Sequence, residues 1–74
     1  MKMGMLTLSD IRKDYYQIDR MTIDGCNWVL FESCRHGGSV VAIAVNTTKK
    51  CYCYTWKPLL YVVDNIDDFE LYQL

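Results

Sequence analysis

The stretch Lys50-Cys51-Tyr52-Cys53-Tyr54-Thr55-Trp56 alternates thiols with aromatic rings. Paired thiols can ligate zinc or form a redox couple, and a row of rings can stack on bases. The positions of the remaining cysteines weigh against the first two. Structural zinc takes four Cys or His ligands, usually as two close pairs. Cys51 and Cys53 make the one close pair; Cys26 and Cys34 are separated by about 26 Å if extended. No C-x-x-C is present, so the thioredoxin-type redox motif is missing. Cys51 and Cys53 therefore read as small apolar packing residues. No metal and no cofactor are expected.

Glu32, Cys34 and His36 alternate along one segment, and a thiol beside an imidazole is the core of a cysteine nucleophile. His36 is the one histidine, however, and it sits in the turn-like "RHGG". Groups strung along a single strand converge poorly, and the expectation is a non-enzymatic chain. Tyr52, Tyr54 and Trp56 resemble a single-strand stacking platform flanked by Lys49, Lys50 and Lys57. A net charge of −1 argues against nucleic acid, whose binders carry a basic face. Neither G-x-x-x-x-G-K nor G-x-G-x-x-G occurs, so no phosphate loop is legible.

These residues need elements to hold them. "TLSDIRKDYYQIDR" reads as a helix: Thr7 and Asp10 have the capping-box spacing. Leu8, Ile11, Tyr15 and Ile18 form an apolar stripe, although Tyr16 to Ile23 could equally be extended. Asp24-Gly25 and Gly37-Gly38 are two-residue turn signals. They separate "NWVLFESC" from its neighbours, and the β-branched "SVVAIAV" reads as a central strand. "CYCYTW" is the next strand. "PLLYVV" is a short helix opened by proline or another strand, "NIDD" a turn, and "FELYQL" a last strand.

A turn at Gly37-Gly38 would pair Leu30 with Val45 and Phe31 with Ala44. A four-residue loop over 46–49 would pair Ala44 with Cys51 and Ile43 with Tyr52. One sheet face would then carry Val29, Phe31, Ala42, Ala44, Cys51 and Cys53, small enough for the N-terminal helix to pack closely. Cys26 and Cys34 would lie on the opposite face, with Trp28, Leu30, Ile43, Tyr52, Tyr54 and Trp56. That large aromatic face needs a cover, from "PLLYVV" or from a second subunit.

The expected fold is α+β, one domain over 1–74: an N-terminal helix on a four- to five-stranded antiparallel sheet. The alternative is a small β-barrel with the helix as a plug. A chain of this length buries only about 60% of its unfolded surface, while 51% of its residues are apolar, so apolar surface is left over. Charge is uneven as well. Residues 58–74 carry four acids and no base, and residues 1–57 carry eight bases and five acids. "MKMGMLTLSD" holds no apolar run of signal-peptide length, and no stretch approaches a membrane span, so a cytoplasmic protein with reduced thiols is expected.

The function expected from these features is protein–protein binding, as a homodimer or as an inhibitor of a larger enzyme. In size and style the chain is similar to small phage-encoded inhibitors of host defence enzymes, anti-CRISPR proteins among them, which would place it in the host cytoplasm. No motif carries that likeness. Trp28, Tyr52, Tyr54 and Trp56 would form the contact, with Asp64, Asp67 and Asp68 as a charged rim that tunes association rate. Two alternatives remain. One is a nucleotide or small molecule held at a dimer interface, with Arg35, His36, Lys49 and Lys50 on its phosphates. The other is single-stranded nucleic acid on the same aromatic face.

Overall fold

Thr7 opens the first helix with a reciprocal cap. Its hydroxyl accepts from the Asp10 N–H (3.1 Å), and the Asp10 carboxylate accepts from the Thr7 N–H (2.9 Å). The helix, α1 (Leu8–Asp14), is half as long as the sequence pattern allows. At Tyr15 the backbone turns extended (φ −129°, ψ 155°) and the chain enters β2 (Tyr15–Ile23). Aromatic and β-branched residues favour the pleat there. The hairpin that follows supplies a partner along the whole strand: Asp24 (φ 51°) and Gly25 (φ 78°) close a two-residue turn onto β3 (Cys26–Ser33). Ile18 is consequently a strand residue, not part of a helical stripe.

The computed structural model describes residues 1–33 and 42–74. The turn expected at Gly37-Gly38 lies outside them, as do Cys34, Arg35 and His36. β4 (Ala42–Asn46) is buried at every position, as befits the apolar central strand expected from its sequence. β5 (Cys51–Thr55) follows, then α2 (Leu59–Asp64) with Pro58 as its N-cap residue, a 3-10 turn (Ile66–Asp68), and β6 (Tyr72–Gln73). A strand not foreseen from sequence, β1 (Lys2–Met3), pairs parallel with β6. The sheet is therefore six-stranded and mixed, in the order β1-β6-β5-β4-β3-β2. It has two free edges and is not closed, which removes the barrel alternative. The α+β class stands.

Two registers differ from expectation, with different consequences. Leu30 pairs with Ala44 and Phe31 with Ile43, one residue away from the expected pairs. A one-residue slip moves every side chain of β3 to the other face relative to β4. On the β4–β5 side, Ala44 pairs with Cys53 rather than Cys51. That slip is two residues, so the faces keep their partners.

The helices therefore cover the opposite faces from those expected. α2 lies over the small residues: Leu59 and Val62 pack with Ala42, Ala44, Cys53, Trp28 and Leu30. α1 lies over the large ones: Ile11 packs with Phe31, Ile43, Val45 and Tyr52. Gly4 is required where the N-terminal segment crosses this second face. Its N–H donates to the Gln73 carbonyl (3.0 Å). A Cβ there would overlap that oxygen and meet the Tyr52 ring at 2.8 Å.

Candidate interaction surface

The four aromatic residues expected to form one contact face are divided by the fold. Trp28 (5% exposed) and Tyr52 (1% exposed) are core residues on opposite faces of the sheet. Tyr54 stays partly open at 43% exposure, on the α1 face. It meets Tyr52 and Tyr72 edge-on at 5.9 and 5.8 Å between ring centroids, while Tyr52 and Tyr72 stack at 5.4 Å. Burial, and then the neighbouring tyrosines, raise the Tyr54 pKa above its usual value. This trio is a cross-strand packing cluster with one ring at the surface.

Trp56 is the ring that reaches solvent, at 82% exposure. After Thr55 the chain leaves the sheet, and the buried Thr55 hydroxyl accepts from the Lys57 N–H (2.8 Å) to shape that exit. Trp56 then borders a cleft of about 250 Å³ on the α2 side, with Ile18, Leu30, Glu32, Ala42 and Pro58. Lys57 lines the same cleft and sets its Nζ 5.0 Å from the centre of the Tyr61 ring. This lysine links the cleft to the outer side of α2, where Leu60 (58%) and Tyr61 (43%) are exposed. Ile18, Trp56, Leu60 and Tyr61 thus give this side an apolar surface.

Asp64 ends α2, three and four residues beyond Tyr61 and Leu60, and so borders them on the helix surface. Asp67 and Asp68 sit exposed on the 3-10 turn. The acidic residues expected to rim the contact therefore follow the α2 surface. Lys49 and Lys50, expected to meet phosphates, lie in the turn before β5. A five-residue strand, about 17 Å long, separates them from Trp56. Arg35 and His36 lie outside the described residues.

The thiols of Cys26, Cys51 and Cys53 are packing residues. Cys51 and Cys53 are buried, and burial pushes both thiol pKa values up, that of Cys53 to about 11. Cys26 packs against the same cluster as Cys53, not on the opposite face as the expected register had it. Among the described residues, no three His, Cys, Asp or Glu side chains are grouped to hold a metal. Glu32, one of the groups weighed for catalysis, accepts from the Tyr16 hydroxyl (3.1 Å).

Ile18, Leu60 and Tyr61 were not singled out from sequence as contact residues. For the latter two a signal existed. "LLYVV" is apolar throughout, yet a helix this short buries one stripe, here Leu59 and Val62. The remainder had to face outward. Ile18 carried no such signal, because its position depends on a bulge in β2.

No protein-family model matches the chain, and no curated protein or solved structure matches it. No helix among the described residues is long and apolar enough to cross a membrane.

Proposed function

We propose that the chain is a small non-enzymatic protein-binding module that docks a larger protein on the Trp56 surface and acts by covering part of it. The observation that supports this is Trp56, held almost fully exposed beside a cleft lined by Ile18, Leu30, Ala42 and Pro58 with Glu32 and Lys57, on the side where α2 exposes Leu60 and Tyr61. Exposed single apolar residues are ordinary, but several on one side of a small chain are a docking feature. Tryptophan and tyrosine are also the side chains that most often dominate binding energy. Asp64, Asp67 and Asp68 supply the charged rim, which suits a partner with a basic border around an apolar pocket. An inhibitor of a larger enzyme, of the kind phages direct at host defence systems, fits this size and surface.

The test is paired capture from an extract of the expressing cell, with wild type and Trp56→Ala as baits. A protein retained by the first and lost from the second supports the proposal. Equal capture by both, or capture abolished by Tyr54→Ala instead, places the contact elsewhere. Light scattering on the purified chain separates the homodimer: a doubled mass that Trp56→Ala reduces to a monomer would make a second copy the partner.

A further inference from the structure

The bulge in β2 sorts charge between the two faces of the sheet. Before it, Tyr15 and Gln17 pair with Ser33 and Phe31; after it, Asp19 pairs with Leu30 and Arg20 with Val29. The extra residue, Ile18, shifts the alternation by one. Gln17, Arg20 and Thr22 therefore share the α1 face, and Asp19 turns to the other. In an unbroken strand, Gln17 and Asp19 would stand side by side and Arg20 would face away.

The result is a cleft of about 320 Å³ between α1 and the β2–β3 hairpin, lined by Arg12 from the helix and Arg20 from the strand. No carboxylate residue lines it, in a chain whose acids outnumber its bases. Among the described residues, the one ion pair is Lys2–Glu70, so neither arginine is held in one. Asn27 and Gln17 add amide groups to the same wall. The Asn27 side-chain oxygen accepts from the Thr22 hydroxyl (2.9 Å), which leaves its NH2 to donate. Leu8 and Val29 supply an apolar part.

We propose that this cleft binds a small-molecule phosphomonoester, with Arg12 and Arg20 on the phosphate and the organic portion against Leu8 and Val29. A carboxylate offers two oxygens, which one guanidinium fork satisfies. A phosphomonoester offers three terminal oxygens and nearly two charges, which suit two forks on separate elements. The volume is at the small end for ligand sites and leaves room beyond a bare phosphate. Lys49 and Lys50, among the cations first expected to meet phosphates, do not line it. The site lies across the sheet from the Trp56 surface and is independent of it.

The experiment is an amide chemical-shift titration of the full chain with adenosine monophosphate and, separately, inorganic phosphate. Saturable shifts at Gln17, Arg20, Thr22, Asn27 and Thr47 are expected with the nucleotide, and weaker binding with phosphate alone. Equal affinity for the two probes would assign the site to free phosphate and overturn the organic-ligand assignment. Arg12→Ala and Arg20→Ala should each weaken binding by about tenfold. Arg20→Lys, which keeps the charge and loses the fork, should fall between. Both arginines are exposed, so the variants keep the fold, which circular dichroism checks. No saturable shift with either probe, or shifts that persist in the Arg12→Ala/Arg20→Ala double variant, overturn the proposal.

Discussion

The two helices are nearly equal in length and lie over opposite faces of one sheet, yet they leave very different surfaces. The outward side of α1 is Ser9, Asp10, Lys13 and Asp14, all exposed and polar. The outward side of α2 is Leu60 and Tyr61, with Asp64 as its one charge. α1 is amphipathic and finishes its face. α2 is apolar nearly all round, a pattern expected of a helix covered on both sides. On the α1 side the helix itself presents polar residues outward, and on the α2 side it presents Leu60 and Tyr61, the residues the proposed partner would cover.

The comparison can be broken most directly at Tyr52. Tyr52→Ala removes a buried ring that stacks on Tyr72 and should cost about 3–5 kcal/mol. That is comparable with the whole stability of a small domain, so denaturant melts should show a largely unfolded chain. Gly4→Ala comes next. Overlap with the Gln73 carbonyl should cost about 1–3 kcal/mol. Hydrogen exchange would show it locally, as lost protection at Lys2, Gly4 and Leu74 with β3–β5 unaffected. A global loss of protection would mean that the terminal strands belong to the central folding unit.

Thr7→Ala removes one half of the cap on α1 and should cost about 1 kcal/mol. Cys53 gives the pH-dependent test on the other face. Its thiol ionises near 9.0 when free and near about 11 when folded. Below pH 9 neither state is ionised and stability is unaffected by this group. As pH rises from 9 toward 11 the unfolded chain loses protons first, so stability falls. Cys53→Ala should flatten that alkaline slope; an unchanged slope would show that the thiol is accessible in the folded chain. The smallest expected effect is at Trp56. Trp56→Ala should change stability by less than about 0.5 kcal/mol while removing partner capture. A large destabilisation there would turn the proposed contact into core and erase the contrast between the faces.

The elements that local chemistry defines were legible in the sequence. Thr7 and Asp10 marked the helix start, Asp24-Gly25 the hairpin, and the β-branched run the central strand. Helix length was not, because Tyr15 and Ile18 satisfy a helical stripe and a strand equally, and the tertiary pairing with β3 decides between them. Registers were hardest. One residue of slip between β3 and β4 exchanged the partners of Trp28 and Phe31, and with them the assignment of both helices. The contact residues divided for the same reason: Trp56, past the end of β5, was recognisable as a candidate, whereas Trp28 and Tyr52 depended on which face was covered. Arg20 could not have been paired with Arg12 from the sequence, since only the bulge at Ile18 turns it toward the helix.

The parallel pairing of β1 with β6 bears on how the chain is made. Lys2 is synthesised roughly seventy residues before its strand partner, Tyr72. At ordinary elongation rates that is a delay of about 4–14 s. Throughout it, the segment that carries Met1, Met3 and Met5 has no strand to join, and the Tyr52 ring, once made, waits for Tyr72 beside it. Any factor that engages the chain in that interval would meet the segment unpaired.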